Sequence, residues 1–330
     1  MNTTMSTTTS SAPVDALASK AAGGHSHMAI AFGLMVAFFL IAPLFVYPVF
    51  LMKVMCFALF ACAFNLLIGF GGLLSFGHAM FLGSAGYASA HAAKVWGLTP
   101  ELAILFGTVC AVLLGVVAGA LAIRRQGIYF AMITLALAQM VYFFSLQAKF
   151  TGGEDGIQGV PRGQLFGLID LGSPMAMYAV VFTVFIGGFL LIWRVVHSPF
   201  GQVLQAIREN EARATSLGYD TDRYKHLAFV LSAGLAGLAG ATKAIVFQLA
   251  SLTDVHWSMS GEVVLMTLLG GMGTLFGPVV GAAIIVSMQN YLAQLGAWVT
   301  IVQGVIFVIC VLAFRRGVVG EIANWLKKPL

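Results

Sequence analysis

The chain has 330 residues, 60% of them hydrophobic and only 9% charged, with a formal net charge of +5. An average soluble domain carries roughly 25% charged residues, so this composition cannot cover a water-exposed surface and excludes a soluble globular enzyme. The cations are scattered between apolar segments rather than gathered into a patch with interleaved aromatics, which argues against nucleic acid as a partner.

Residues 1–27 are rich in Thr, Ser and Ala and read as a disordered tail. They do not read as a signal peptide. Lys20 stands well back from the start, the apolar stretch after His27 exceeds a usual signal core, and no clear small-residue cleavage site follows. Beyond the tail, stretches without Asp, Glu, Lys or Arg run over 28–52, 54–93, 102–123, 126–148, 171–193 and 263–314. A helix needs about 20 apolar residues to cross a hydrocarbon core of about 30 Å, so 54–93 and 263–314 must each hold at least two crossings. The expected fold is an all-α integral membrane protein with about nine or ten transmembrane helices. They are placed near 28–47, 52–70, 74–93, 102–123, 127–147, 174–193, 227–250, 258–270, 277–294 and 298–314. The transmembrane domain would span 28–320, with a short C-terminal tail over 321–330. Cys56, Cys62, Cys110 and Cys310 all lie in apolar runs without metal-ligand spacing and read as packing residues. No metal or cofactor motif stands out.

Lys and Arg concentrate in cytoplasmic loops. Most cations here fall at Arg124 and Arg125, in the 194–226 loop, and at the end with Arg315, Arg316, Lys327 and Lys328. Placing 194–226 in the cytoplasm puts 149–173 outside and both termini inside. Residues 258–314 must then cross an odd number of times. At 1.5 Å per residue, 258–270 is either a short span or a re-entrant half-helix. A weak internal echo accompanies it: Gly71, Phe76 and Gly77 recur in the spacing of Gly271, Phe276 and Gly277. Broken helices at corresponding positions of two halves are where transporters build their pathway, although glycine-rich turns between apolar helices also resemble one another without duplication.

The 194–226 loop holds the clearest soluble element. Ser198 is a suitable N-cap, Pro199 suits the first helical position, and Phe200, Val203, Leu204 and Ile207 form one apolar stripe. Arg208, Glu209, Asn210, Glu211 and Arg213 follow, and Gly218 is a plausible terminator. Such a helix could lie on the membrane surface. The balanced charge cluster favours docking onto a soluble partner instead, because lipid-binding helices carry mostly Lys and Arg on the polar face. Arg208 and Glu209 are expected to point into the cytosol at that contact.

The string SPFGQVLQAIRENEARATSLGYDTDRYKHLAFVLSAGLAGLAGA (198–241) resembles the cytoplasmic loop and next helix of the Liv-type branched-chain amino-acid ABC transporter permeases, nearer the LivM-like than the LivH-like member. GGLLSFGHAMFLGSAGYASA (71–90), RRQGIYFAMITLALAQM (124–140), TGGEDGIQGVP (151–161) and GGMGTLFGPVVGA (270–282) fit the same family in the same order. The resemblance implies a second, LivH-like permease, two cytoplasmic ATPases, and a periplasmic or extracellular substrate-binding protein. The ATPase contact would fall on Ser198, Phe200, Gly201, Ile207, Arg208, Glu209, Asn210, Glu211 and Gly218, although the general Glu-Ala-Ala…Gly importer pattern appears only loosely here, as Glu211-Ala212-Arg213-Ala214 with Gly218. Gly152, Gly153, Gly156 and Pro161 would face the binding protein. No GxxxxGK[ST] phosphate loop occurs, so ATP hydrolysis is expected of partner subunits and none of this chain.

Polar groups at membrane depth are functional candidates because their burial is costly, with interhelical hydrogen bonding as the plain alternative. The expected pathway set is Asn65, Gly71, Gly72, Ser75, Gly77, His78, Gln139, Glu262, Gly271, Gly273 and Thr274, with Lys243 and Gln289 as further polar residues. Permeases of this kind handle branched-chain amino acids, and others pass urea, short amides or aromatic carboxylates. The rival readings are a lipid-modifying membrane enzyme and an ATP-independent secondary transporter, neither of which needs a docking helix.

Overall fold

A computed structural model describes residues 28–165, 167, 169–293, 296, 298–313 and 317–325. The expected tail over 1–27 and the cations Arg315, Arg316, Lys327 and Lys328 lie outside the described residues.

Among the described residues, ten helices rich in apolar side chains carry the fold. They are α1 (Met28–Leu44), α2 (Pro48–Asn65), α3 (His78–Lys94), α4 (Pro100–Ala122), α5 (Ile128–Gln147), α6 (Pro174–Val196), α9 (Thr221–Phe247), α10 (Trp257–Gly270), α11 (Gly277–Leu292) and α12 (Trp298–Ala313). Between α6 and α9 lie two short polar helices, α7 (Pro199–Glu209) and α8 (Glu211–Ser216), and α13 (Gly317–Trp325) follows α12. Proline opens α2, α4, α6 and α7, where its fixed φ suits the first turn and its missing N–H leaves nothing unsatisfied. Among the described residues, five helices are long and apolar enough to span a bilayer: α2 with its continuation to Phe70, α4, α5, α6 and α9.

Burial sorts these five into a core and a rim. The most apolar window of α2 is 89% buried and that of α9 is 78%, against 39% for α4, 28% for α5 and 39% for α6. The rim helices turn Leu105, Leu113, Leu121, Met132, Phe143 and Leu190 outward, an arrangement stable only where the surroundings are hydrocarbon. Small residues set the closest packing. A Cβ on Gly107 of α4 would lie 3.0 Å from the Ser89 and Ala241 side chains, and Gly86 of α3 faces the backbone of Gly240. Lipid gives apolar side chains no preference for each other, so close backbone approach supplies the van der Waals contact that holds such helices together.

Among the shorter helices, α3 and α10 meet at their N-termini. The 17 residues of α3 and the 14 of α10 rise about 26 and 21 Å, short of a span of about 30 Å. Their N-termini meet inside the bundle, where the Ala79 amide donates to Ser260 Oγ at 2.9 Å and Gly83 abuts Val255. The segment 258–270, open in the sequence between a short span and a re-entrant half-helix, forms the short helix α10, which starts seven residues after β4 in the cap and ends at a break bound by Asn65. Its partner α3 starts at His78 rather than 74. Residues 73–76 form no helix although Leu73, Leu74 and Phe76 are as apolar as a helix would be. At the other core helix, α9 begins six residues before the expected 227, because Asp220 caps it by accepting the Arg223 amide and the first turns are polar.

The end of the bundle opposite α7 is closed by residues 148–173. There β1 (Ile157–Gln158) pairs antiparallel with β4 (Leu249–Ala250), and β2 (Gln164–Leu165) pairs with β3 (Ile169–Asp170). Lys94 and Arg162 pin this cap by donating to the carbonyls of Gln158 and Val246 at 2.7 and 2.9 Å. The helix α13 runs across the boundary expected at 320.

Candidate functional site: the junction of two helix breaks

The first break follows α2. Its last turn widens into a π turn over Leu66–Phe70, a form rare in helices and often found at functional positions. Gly71 follows, Gly72 takes a left-handed φ of 69°, and the chain turns back through 73–77 to start α3. The second break joins α10 to α11 through Gly271 and Gly273, with φ of 122° and 77°. Each break carries a hydroxyl that caps the glycine starting the next helix: Ser75 Oγ accepts from the Gly77 amide at 3.2 Å, and Thr274 Oγ1 from Gly277 at 3.1 Å.

The two breaks meet. Asn65, 2% exposed, accepts the Gly273 amide on Oδ1 at 3.0 Å and donates through Nδ2 to the Thr274 carbonyl at 2.8 Å. A Cβ on Gly69 would stand 2.7 Å from the Gly273 nitrogen, so nothing larger than glycine fits there. Irregular backbone at membrane depth is tolerated only where protein buries it or water reaches it. Here both hold, because a polar cavity of about 350 Å³ opens between the breaks and α7, lined by Gly69, Phe70, Gln205, Arg208, Glu209 and Gly273.

The helix α7 lies across this cavity. Ser198 caps it by accepting the Gly201 amide at 3.4 Å. Its stripe turns inward: Leu204 and Ile207 are buried, Phe200 stacks on Tyr224 at 5.5 Å, and Leu204 touches Gly71. The apolar face is therefore covered by the chain's own bundle. Arg208 is exposed, as expected, but it is not free. Its guanidinium donates to the Gly69 carbonyl and its stem lies over Gly72, because the helix ends at Phe70 and leaves that carbonyl without a helical partner. Glu209 and Asn210 are exposed, and Asn210 caps α8 by accepting the Arg213 amide at 3.0 Å. Glu211 turns inward. Its Oε1 accepts from Lys225 Nζ at 2.5 Å, Gln126 Nε2 at 2.9 Å and Thr221 Oγ1 at 3.3 Å, tying α8 to α9 and to the 124–127 turn. Gly218, with φ of 89°, ends α8.

Residues 46–311 match the family described as branched-chain amino acid transport system, permease component. The chain belongs to that family. It is similar to the high-affinity branched-chain amino acid transport system permease protein LivM of Salmonella typhimurium, 25% identical over 80% of this chain and 67% of that one, and to its Escherichia coli counterpart at the same identity and coverage. The ribose import permease protein RbsC of Bacillus subtilis is 30% identical over 74% of this chain and 77% of its own. The chain is thus a permease component of a transport system. The rival readings of a membrane enzyme and an ATP-independent carrier lose to it, and family membership implies ATP-binding and substrate-binding partners.

Within this permease the remaining expected residues fall apart from the junction. His78 is fully buried among Phe64, Phe81 and Phe229, and its Nε2 donates at 2.8 Å to the hydroxyl of Ser232, which in turn donates to the Ala63 carbonyl. It joins α2, α3 and α9 rather than lining open space. Gln139 is half-buried on α5, five residues beyond Thr134, which contacts the first break through the Phe76 amide. In the cap, Gly152, Gly153 and Gly156 all have φ between 62° and 79°, and Pro161 is exposed. Glu262 accepts from Gln289 Nε2 at 2.9 Å, and Lys243 pairs with Asp254. The sequence reading passed over Lys53, the lone charge between the stretches 28–52 and 54–93. That isolation was the available signal.

Proposed function

We propose that the chain is one of two permease subunits in a binding-protein-dependent ABC importer of the inner membrane, both its termini facing the cytoplasm. Two separate ATPase subunits drive it through α7 and α8, and a substrate-binding protein delivers solute to the cap over 148–173. The substrates are branched-chain amino acids or related small polar solutes, with urea, short amides and aromatic carboxylates as the other candidates. The solute leaves through the junction of the two breaks. One observation carries this reading: a short polar helix at one end of the bundle has its apolar face covered and its Arg208 bound at the first break. A helix so placed can pass a push from a soluble motor to the backbone that lines the cavity, whereas a membrane-surface helix would need that apolar face for lipid.

The test is reconstitution of the permease pair, the ATPases and the binding protein in proteoliposomes. Leucine uptake that requires ATP and the binding protein supports the reading. Uptake driven by an ion gradient without ATP would sink it.

A further inference from the structure

The opposite half of the bundle holds a second polar group, remote from α7. Lys53 on α2, Lys243 on α9, Asp254 before α10 and Glu262 on α10 lie within electrostatic reach of one another. Lys243 and Asp254 form an ion pair whose side chains are 15% and 12% exposed, and the ammonium also lies 5.3 Å from the Phe57 ring centre. Lys53 has no hydrogen bond or ion pair among the described residues, and Glu262 uses only Oε2, toward Gln289. Beside them the Tyr87 hydroxyl, on a residue 3% exposed, has no partner and lies within reach of Asp254.

Resting on the importer reading, we propose that this cluster is a station for a small zwitterion, with Lys53 taking its carboxylate and Glu262 its ammonium. The helix α2 is the most enclosed in the bundle, and Leu51, Met52, Val54 and Met55 around Lys53 are all buried. Lys53 itself is half-buried, so it stays accessible to a solute while its neighbours along α2 are closed off. An ionised side chain at this depth is costly unless paired, yet Lys53 and Glu262 stay apart while Lys243 and Asp254 close on each other. The closed pair neutralises itself and leaves one cation and one anion open. A zwitterion satisfies both and keeps the site neutral. A monoanion such as an aromatic carboxylate would pair Lys53 but confront Glu262 with like charge, and urea or an amide would leave both open charges without a counter-ion. Selectivity would come from that mismatch as much as from attraction.

The experiment uses the assembled importer in proteoliposomes with labelled leucine, urea and benzoate as probes. Wild type should move leucine in preference to the other two. Lys53→Gln and Glu262→Gln should each lower the maximal leucine rate by about tenfold or more, and Lys53→Arg should keep most of it. To separate charge from folding, Lys53→Cys is treated with an aminoethyl thiol reagent, which should restore uptake, and with a sulfonatoethyl one, which should not. Leucine uptake within about twofold of wild type in both Gln variants, or no recovery in aminoethylated Lys53→Cys, would overturn the station. So would uptake of urea or benzoate without leucine, and each of these would leave the importer reading standing. Absence of ATP-driven uptake of all three probes would overturn that reading and the station together.

Discussion

Asn65 closes one helix break with the other: its carboxamide accepts the amide of Gly273 at 3.0 Å, although 208 residues separate them in the chain. Both ends of the side chain are used, so truncation strands a buried amide and a buried carbonyl. Removing a partner from a buried polar group costs about 1–3 kcal/mol. Asn65→Ala should lower the thermal stability of the purified permease in detergent and depress uptake more strongly than its membrane level. Asn65→Ser at wild-type stability and rate would show that the link is incidental.

Arg208 and Glu209 are neighbours with opposite assignments. Both are exposed beside the same cavity, but the Arg208 guanidinium binds the Gly69 carbonyl, whereas Glu209 stands at the rim. Arg208→Ala should leave ATPase subunits bound while separating hydrolysis from uptake. Glu209→Lys should weaken ATPase binding itself. Co-purification of the ATPases, measured beside transport, distinguishes the two, and equal loss of binding in both variants would return Arg208 to the docking surface.

The ion pairs of the 194–226 loop differ in burial, which orders their contributions. The Lys225 side chain is 4% exposed and depends on Glu211, whereas Arg223 and Asp220 are 84% and 51% exposed. Breaking a buried pair leaves an uncompensated charge and costs about 3–5 kcal/mol, while exposed pairs contribute little. Glu211→Ala should therefore make the loop sensitive to trypsin, and Asp220→Asn, which removes the charge but keeps the N-cap oxygen, should not. Equal cleavage rates would refute the inward role of Glu211.

The helices were legible because their lengths of uncharged chain are physical requirements of the bilayer, and α7 because Ser198, Pro199 and its stripe are local signals. The breaks were legible from glycine alone. Their meeting was not, since Asn65 and Gly273 are distant in sequence and nothing local encodes their contact. The start of α3 was missed because hydropathy cannot tell an extended Leu73–Leu74 from a helical one. The partners of Arg208 and Glu211 were illegible for a related reason: charge predicts a free surface group until a carbonyl at a helix end, or a lysine on the next helix, binds it.

Orientation rests so far on Lys and Arg placement, and it can be tested by labelling. Gly156 is a poor probe site, since its φ of 67° and the nearby Ala250 carbonyl would strain a cysteine. Glu154 and Ala212 are exposed at opposite ends of the bundle. In intact cells Glu154→Cys should react with a membrane-impermeant thiol reagent and Ala212→Cys should not. The reverse pattern would invert the threading and remove the argument for an ATPase at α7.

The junction itself makes the most demanding prediction. Ser75 is fully buried and Thr274 is half-buried, each capping the glycine that begins the next helix. If the breaks line the route, the present arrangement is one state of it, with Thr274 within reach of water and Ser75 shut off. Thr274→Cys should then react with a small hydrophilic thiol reagent in the resting importer, while Ser75→Cys stays unreactive. Substrate-loaded binding protein with ATP should expose Ser75→Cys, because a push on α7 acts through Arg208 on Gly69 and Gly72, six and three residues before it. Cysteine can keep a weak cap at both positions, so transport should survive well enough to show that the labelled protein cycles. If the transporter stays active while both sites remain inert in every state, the glycines serve close helix packing and the solute passes elsewhere.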